Sequence, residues 1–233
     1  MRITYLFNSG FLVELDKTWL VFDDCDDPSD AVAKKISAAS SDVKLYIFVS
    51  HAHFDHFDLG ILDYAPRVDK YICALNVRHT KRAHKLPTEK TVYLEDYSLW
   101  QDDTVQVHTF SSTDVGTSFL VESEGKKIFH AGDFNWWHWI EDTAENRKLM
   151  QNAFTKQLQK MRGMTADVAF FPTDGRLGKA RDMGVNAFCA ATDIRALVTM
   201  HNVGYAPWQP SADFPKPELP YFSPVNPGDT WEL

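Results

Sequence analysis

The chain has 233 residues, 44% of them hydrophobic and 24% charged, with a formal net charge of −8. That much apolar material excludes intrinsic disorder as the main state, and the length suits one large α/β domain, 1–233, better than two. The acidic balance argues against a protein that grips long nucleic acid through a phosphate-binding face, but it leaves room for a small anionic substrate where a metal supplies local positive charge.

In chain order, apolar and polar residues first alternate around two turns, which predicts short strands over 3–7, 11–15 and 19–22. Asp27-Pro28 reads as a helix start, with Asp as N-cap and Pro at the first helical position, and 31–39 continues that helix. Lys44–Val49 is apolar, β-branched and aromatic, as a buried strand is. The loop HAHFDHFD follows, then a short helix near Leu59–Tyr64. Strands are expected over 70–74 and Thr91–Leu94 with a helix over 76–84 between them, and further strands over 104–110, 117–122 and 127–130. The last two pair through the turn Ser123-Glu124-Gly125.

A long helix is predicted over 143–161, capped by Asp142 with Glu145 completing a capping box. Its apolar face holds Leu149, Met150, Ala153, Phe154, Leu158 and Met161. A strand over 167–171, a helix over 185–193 and a strand over 196–200 follow. The Pro-rich tail from about 205 is expected to wrap the surface with little regular structure. Two sheets between helices satisfy this order.

Cys25, Cys73 and Cys189 are odd in number, far apart and free of any CxxC pair, so they read as small buried hydrophobes. The N-terminal segment lacks the apolar core and cleavage site of a signal peptide, and no apolar run approaches the roughly 20 residues that span a bilayer. The expected location is the cytoplasm, with no membrane partner.

The strongest chemical signal is His51-Ala52-His53-Phe54-Asp55-His56, three imidazoles and a carboxylate directly after a buried strand. Such ligands suit zinc, iron or manganese, and four of them on a tight loop can feed two neighbouring ions. Asp133, in Ala131-Gly132-Asp133 at a strand end, is a candidate bridge between two cations, and His201 stands at another strand end. The segment 134–139, Phe-Asn-Trp-Trp-His-Trp, follows that Asp. Trp136 and Trp137 are candidate pocket walls, and His138 is a candidate acid for a leaving group. His130 reads as a core histidine or one behind the ligands. Arg176, in Asp174-Gly175-Arg176, is a candidate holder of a substrate carboxylate or phosphate. The basic stretch 78–85 reads as a solvated helix face.

HAHFDH resembles the HxHxDH signature of the metallo-β-lactamase superfamily, and Ala131-Gly132-Asp133 and His201 match its later ligand motifs in order. The resemblance covers the chain to about His201. It implies a four-layer αββα sandwich with a site for two divalent metal ions at one edge of the two sheets, zinc first, manganese or iron as alternatives. It implies that His51 and His53 bind the first ion, that Asp55, His56 and His201 bind the second, and that Asp133 bridges them. It also implies hydrolysis by a metal-bound hydroxide, with Asp55 free to orient the attacking water. The family's third histidine for the first ion is missing. Asp114 stands in the corresponding segment 112–118 and is the first candidate to replace it, with His108 as the rival.

The expected function is therefore a hydrolase of a small ester, lactone, thioester or phosphoester. The alternatives are a phosphodiesterase or nuclease of the same fold, or a metal-binding protein without catalysis. The expected partner is a small-molecule substrate, and the Pro-rich tail and surplus aromatics suit a homodimer contact.

Overall fold

A computed structural model describes residues 1–233. The chain opens with strands β1 (Arg2–Phe7), β2 (Gly10–Glu14) and β3 (Thr18–Phe22), helix α1 (Ala31–Ala38), and strands β4 (Lys44–Val49), β5 (Val68–Ala74) and β6 (Thr91–Leu94). Strands β7 (Leu99–Gln101), β8 (Gln106–Ser111), β9 (Thr117–Ser123) and β10 (Lys126–His130) come next, followed by helix α2 (Ala144–Lys160). The last part holds β11 (Thr165–Ala166), β12 (Val168–Pro172), helix α3 (Arg181–Ala191), β13 (Asp193–Ile194), β14 (Leu197–Met200), β15 (Tyr221–Phe222) and β16 (Thr230–Glu232).

Two seven-stranded sheets face each other, ordered β16-β1-β2-β3-β4-β5-β6 and β15-β14-β12-β10-β9-β8-β7, while β11 and β13 form a small ribbon. Both sheets follow one programme. Four strands are joined antiparallel, and three more are added parallel from the fourth, β3 in the first sheet and β10 in the second.

The layers follow from side-chain alternation along the strands. Phe11 and Val13 of β2, Phe22 of β3, and Tyr46 and Phe48 of β4 point into the core between the sheets. Leu12, Val21, Leu45, Ile47 and Val49 point the other way and are covered by Val32 and Ile36 of α1. On the far side, Phe188 of α3 stacks on Phe171 at 4.6 Å and on Phe129 at 5.4 Å. The fold is thus the expected αββα sandwich.

Several local expectations are corrected. Asp27 does cap, accepting from Ser29 N and Val32 N, but it does so across a turn, and α1 starts only at Ala31. The segment 76–84 is not a helix but two short 3-10 turns, because the Thr80 hydroxyl accepts from Ala83 N and donates to Val77 O between them. Thr143, not Asp142, caps α2, its hydroxyl accepting from Asn146 N at 3.1 Å. The apolar face of α2 is narrower than its pattern, since Leu149 is 60% exposed and only Phe154 and the C-cap Met161 are fully buried. The tail carries β15 and β16, which extend one sheet each. No helix is long and apolar enough to cross a membrane.

Phe170 of β12 joins the two sheets, 4.7 Å from the ring of Phe11 and fully buried. Phe170→Ala is expected to lower the unfolding free energy by about 3–5 kcal/mol in a urea titration. A loss below about 1 kcal/mol would show that this contact does not hold the sheets together.

Candidate metal centre

The site is built around Ser50, the residue after β4. Asp23, just past β3, accepts from Ser50 N at 2.7 Å and from the Ser50 hydroxyl at 2.6 Å. From the second sheet, Thr117 N donates to Ser50 O at 3.0 Å. Two glycines with positive φ make this approach feasible. A Cβ on Gly116 (φ 91°) would lie 2.2 Å from Ser50 O, and one on Gly132 (φ 53°) would lie 2.9 Å from Ser50 Cβ. The loop 51–56 is clamped from behind by Arg82, whose guanidinium donates to the carbonyls of Ala52 and Phe57.

The ends of β4, β10 and β14 then bring the donors together. His51 Nε2 lies 3.0 Å from His53 Nδ1 and 3.5 Å from Asp133 Oδ2. Asp133 Oδ1 lies 3.2 Å from His56 Nε2 and 3.6 Å from His201 Nε2. Asp55 Oδ2 lies 3.8 Å from His56 Nε2 and 3.6 Å from His201 Nε2. His51–His53–Asp133 and His56–Asp133–His201 each form a group of donors close enough to share one ion. Buried His56 Nε2 and Asp133 Oδ1 have no hydrogen-bond partner although they face one another. Converging donors left mutually unsatisfied fit a divalent cation.

Each buried imidazole is fixed from its rear nitrogen. His56 Nδ1 meets Asp23 Oδ2 at 2.8 Å, and His201 Nδ1 meets Asp174 Oδ2 at 3.0 Å. His51 Nδ1 meets the Ser50 hydroxyl at 3.0 Å, and that hydroxyl donates to Asp23. The rear N–H therefore donates in all three, which leaves each Nε2 lone pair turned into the site. His201 holds a left-handed φ of 57°, unusual for a residue with a Cβ, and its N–H donates to Asn8 O.

The charges favour a cation. Burial pushes Asp133 upward, but His56, His201 and His51 more than offset it and hold its carboxyl well below the usual range. Burial opposes the charge of His201 too, yet its bonds to Asp174 and Asp55 lift it to about 9. Asp55, opposed by burial and favoured by His201 and His56, falls to about 2.

The donors border a hollow of about 460 Å³, open to solvent, whose walls include Trp137, Trp139, Met150 and Arg176. Trp137 is a wall of this hollow, its indole N–H donating to Asp133 O at 2.9 Å. Trp136 does not line the hollow. It stacks on Phe154 at 5.6 Å and packs into the core, and Trp139 takes its expected place. His138 is also outside the walls, against Trp136. Arg176 is present, but its guanidinium is held by Asp174, Nε to Oδ2 at 2.9 Å, and lies over the Trp139 ring.

Asp114 lines the same hollow, exposed at its surface and outside the closely spaced donor groups, and partial desolvation together with the Asp133 charge raises its pKa. His108 is mid-strand in β8, bonded to Gln106, and does not reach the site. His130 is a core histidine, stacked on Phe22 and bonded to Ser9 O. Asp23, Arg82 and the supporting role of Asp174 were not anticipated. Asp23 carried one readable signal, a carboxylate directly after an apolar strand.

No protein-family model matches the sequence, and no curated protein matches it either. Solved structures do match. Igni18, a metallo hydrolase from the hyperthermophilic archaeon Ignicoccus hospitalis, is 17% identical with a TM-score of 0.66, over 100% of this chain and 98% of that one. CmlA, a diiron β-hydroxylase from Streptomyces venezuelae, is 12% identical with a TM-score of 0.58, over 86% of this chain and 44% of that one. The metallo-β-lactamase fold protein YhfI from Bacillus subtilis is 10% identical with a TM-score of 0.57, over 99% of both chains. The chain has the metallo-β-lactamase fold.

Two predictions follow from the imidazole supports. Asp174→Asn should weaken the affinity for the ion at His201 by about 10- to 100-fold while the protein stays folded, as read by competition with a chelating dye. Because His201 keeps its proton up to about 9, a cation must displace that proton at lower pH. Zinc affinity should therefore fall by up to about tenfold per pH unit from 9 down to 6.5, with proton release on binding. A pH-independent affinity would contradict this arrangement.

Proposed function

We propose that the protein is a metal-dependent hydrolase of a small ester, lactone, thioester or phosphoester. The observation that carries the reading is the division of one carboxylate. Asp133 Oδ2 faces His51, while Oδ1 faces His56 and His201. On this reading His51, His53 and Asp133 hold one divalent cation, and Asp55, His56, His201 and Asp133 hold a second. Asp114 takes the place of a further imidazole on the first, supported by its position on the same wall. Zinc is the first assignment, with iron or manganese favoured to the extent that carboxylates harden the set.

Cations there would supply Lewis acidity, bringing the ionisation of water toward neutral pH and polarising a substrate oxygen. The chain's own groups do the rest. Asp55 is ionised at neutral pH, is anchored by the Asn8 side-chain amide at 3.3 Å, and is half-buried, so it can accept a hydrogen bond from water and orient it. Trp137 and Trp139 remove solvent from one wall. Arg176, kept in place by Asp174, offers its remaining N–H groups to an anionic or carbonyl oxygen.

The test is metal analysis together with a screen of aryl esters, lactones, thioesters and phosphoesters. Wild type should carry two equivalents of metal and lose turnover on chelation. Asp133→Ala should lose both ions and at least about 100-fold in kcat, and Asp114→Ala should weaken one ion while the other stays bound. Full metal content and activity in Asp133→Ala would overturn the reading. Bound metal with turnover of bis-aryl phosphodiesters alone would move it to a phosphodiesterase.

A further inference from the structure

A second hollow, of about 280 Å³, lies beside the metal centre at the same end of the sandwich. It is walled by the β1–β2 turn, by the loop after His201 and by the tail, through Phe7, Met200, Val203, Tyr205, Pro224 and Val225 among others. No charged side chain lines it. Most of its polar side chains are already engaged, the Tyr205 hydroxyl at the exposed rim aside. The Tyr5 hydroxyl accepts from Asn8 N, Asn202 Oδ1 accepts from Gly175 N, and Thr199 Oγ1 bonds Ser223 Oγ at 2.6 Å.

A smaller hollow of about 250 Å³ shares walls with both this hollow and the metal hollow. Phe7, Asn8 and Val203 are walls shared with the apolar hollow, while Asp55, Arg176 and His201 are walls shared with the metal hollow.

The far wall is rigid. β15 is tied to β14 and β16 to β1, so the loop between them spans the ends of both sheets. Gly228 N donates to Tyr5 O, Tyr5 N donates to Asp229 O, and Asp229 Oδ2 accepts from Val225 N and Asn226 N. Pro224 and Pro227 fix two further φ angles. At the mouth, Val203, Tyr205 and Val225 are 46%, 51% and 59% exposed, an apolar rim with nothing over it.

We propose that this hollow receives an uncharged apolar arm of the substrate while the group to be cleaved lies at the metal centre. The inference rests on the proposed reaction for its substrate, but not for the binding itself. An apolar cavity of about 150 Å³ already admits benzene, so the arm is a single ring or a short alkyl chain.

The experiment has two arms. In the first, 4-nitrophenyl alkanoates from acetate to octanoate are compared, and kcat/KM should rise by about fourfold per methylene until the hollow is full. Val225→Trp, which fills the hollow from the tail, should flatten that rise, and Val203→Trp should do the same from the opposite wall. In the second arm, indole binding to the metal-loaded protein is followed by ligand-observed NMR. It should saturate in wild type and disappear in whichever of the two variants circular dichroism shows to be folded. A flat chain-length profile in a wild type that does hydrolyse these esters would overturn the proposal, as would indole binding retained in both folded variants. No indole binding to wild type would also overturn it. If no ester is hydrolysed but indole binds wild type and is lost in the variants, the apolar hollow stands and carboxylic ester hydrolysis fails.

Discussion

The meeting of three loops on Ser50 is the constraint from which the site derives. A single residue receives a carboxylate from the first sheet, an amide from the second, and two glycines that come closer than any side chain would permit. This fixes where β4 ends relative to β9 and β10. Because His51 follows Ser50 and Asp133 follows Gly132, the separation of the first imidazole from the shared carboxylate is set by backbone contacts. Side-chain packing need not find it. A donor set held in this way loses little freedom when an ion arrives.

The second ordering principle is electrostatic. Asp23, Asp133, Asp55 and Asp174 surround imidazoles that burial alone would keep neutral. In the absence of a metal their charge is balanced by protons, and this is why His56 is driven well above its ordinary pKa. Protons and divalent cations therefore compete for the same imidazole nitrogens, beside carboxylates that favour either positive charge. The similarity to both a metallo hydrolase and a diiron hydroxylase shows that the sandwich itself does not select the chemistry. Selection falls to the side chains that wall the hollow.

Much of this was legible in the sequence, for a physical reason. Continuous apolar runs, such as 11–13 and 45–49, declare their burial on both faces directly, and ligands crowded into six residues leave few other uses. What escaped was decided by tertiary contacts. The segment 76–84 has helical composition, but its Arg82 serves the backbone of a distant loop and its Thr80 closes a tighter turn. Trp136 and Trp137 are neighbours in sequence, yet one faces the core and the other the metal ligands, and no periodicity separates them. β15 and β16 are two and three residues long, below the length at which a pattern can be read. Asp23 follows an apolar strand directly, but it opens a run of acidic residues, and its partner Ser50 lies 27 positions away in the chain.

The shared programme of the two sheets has a consequence for how the chain can be divided. The second sheet draws all its strands from residues after 98, whereas the first takes β16 from the far end of the sequence. A cut between β6 and β7 would therefore yield fragments of unequal completeness. The leading fragment would carry the HAHFDH loop but lack its outermost strand, and the trailing one would carry Asp133 and His201 with a strand that has no sheet to join. Each fragment is the template the other requires, so reassembly by complementation and recovery of both ligand sets would be a single event.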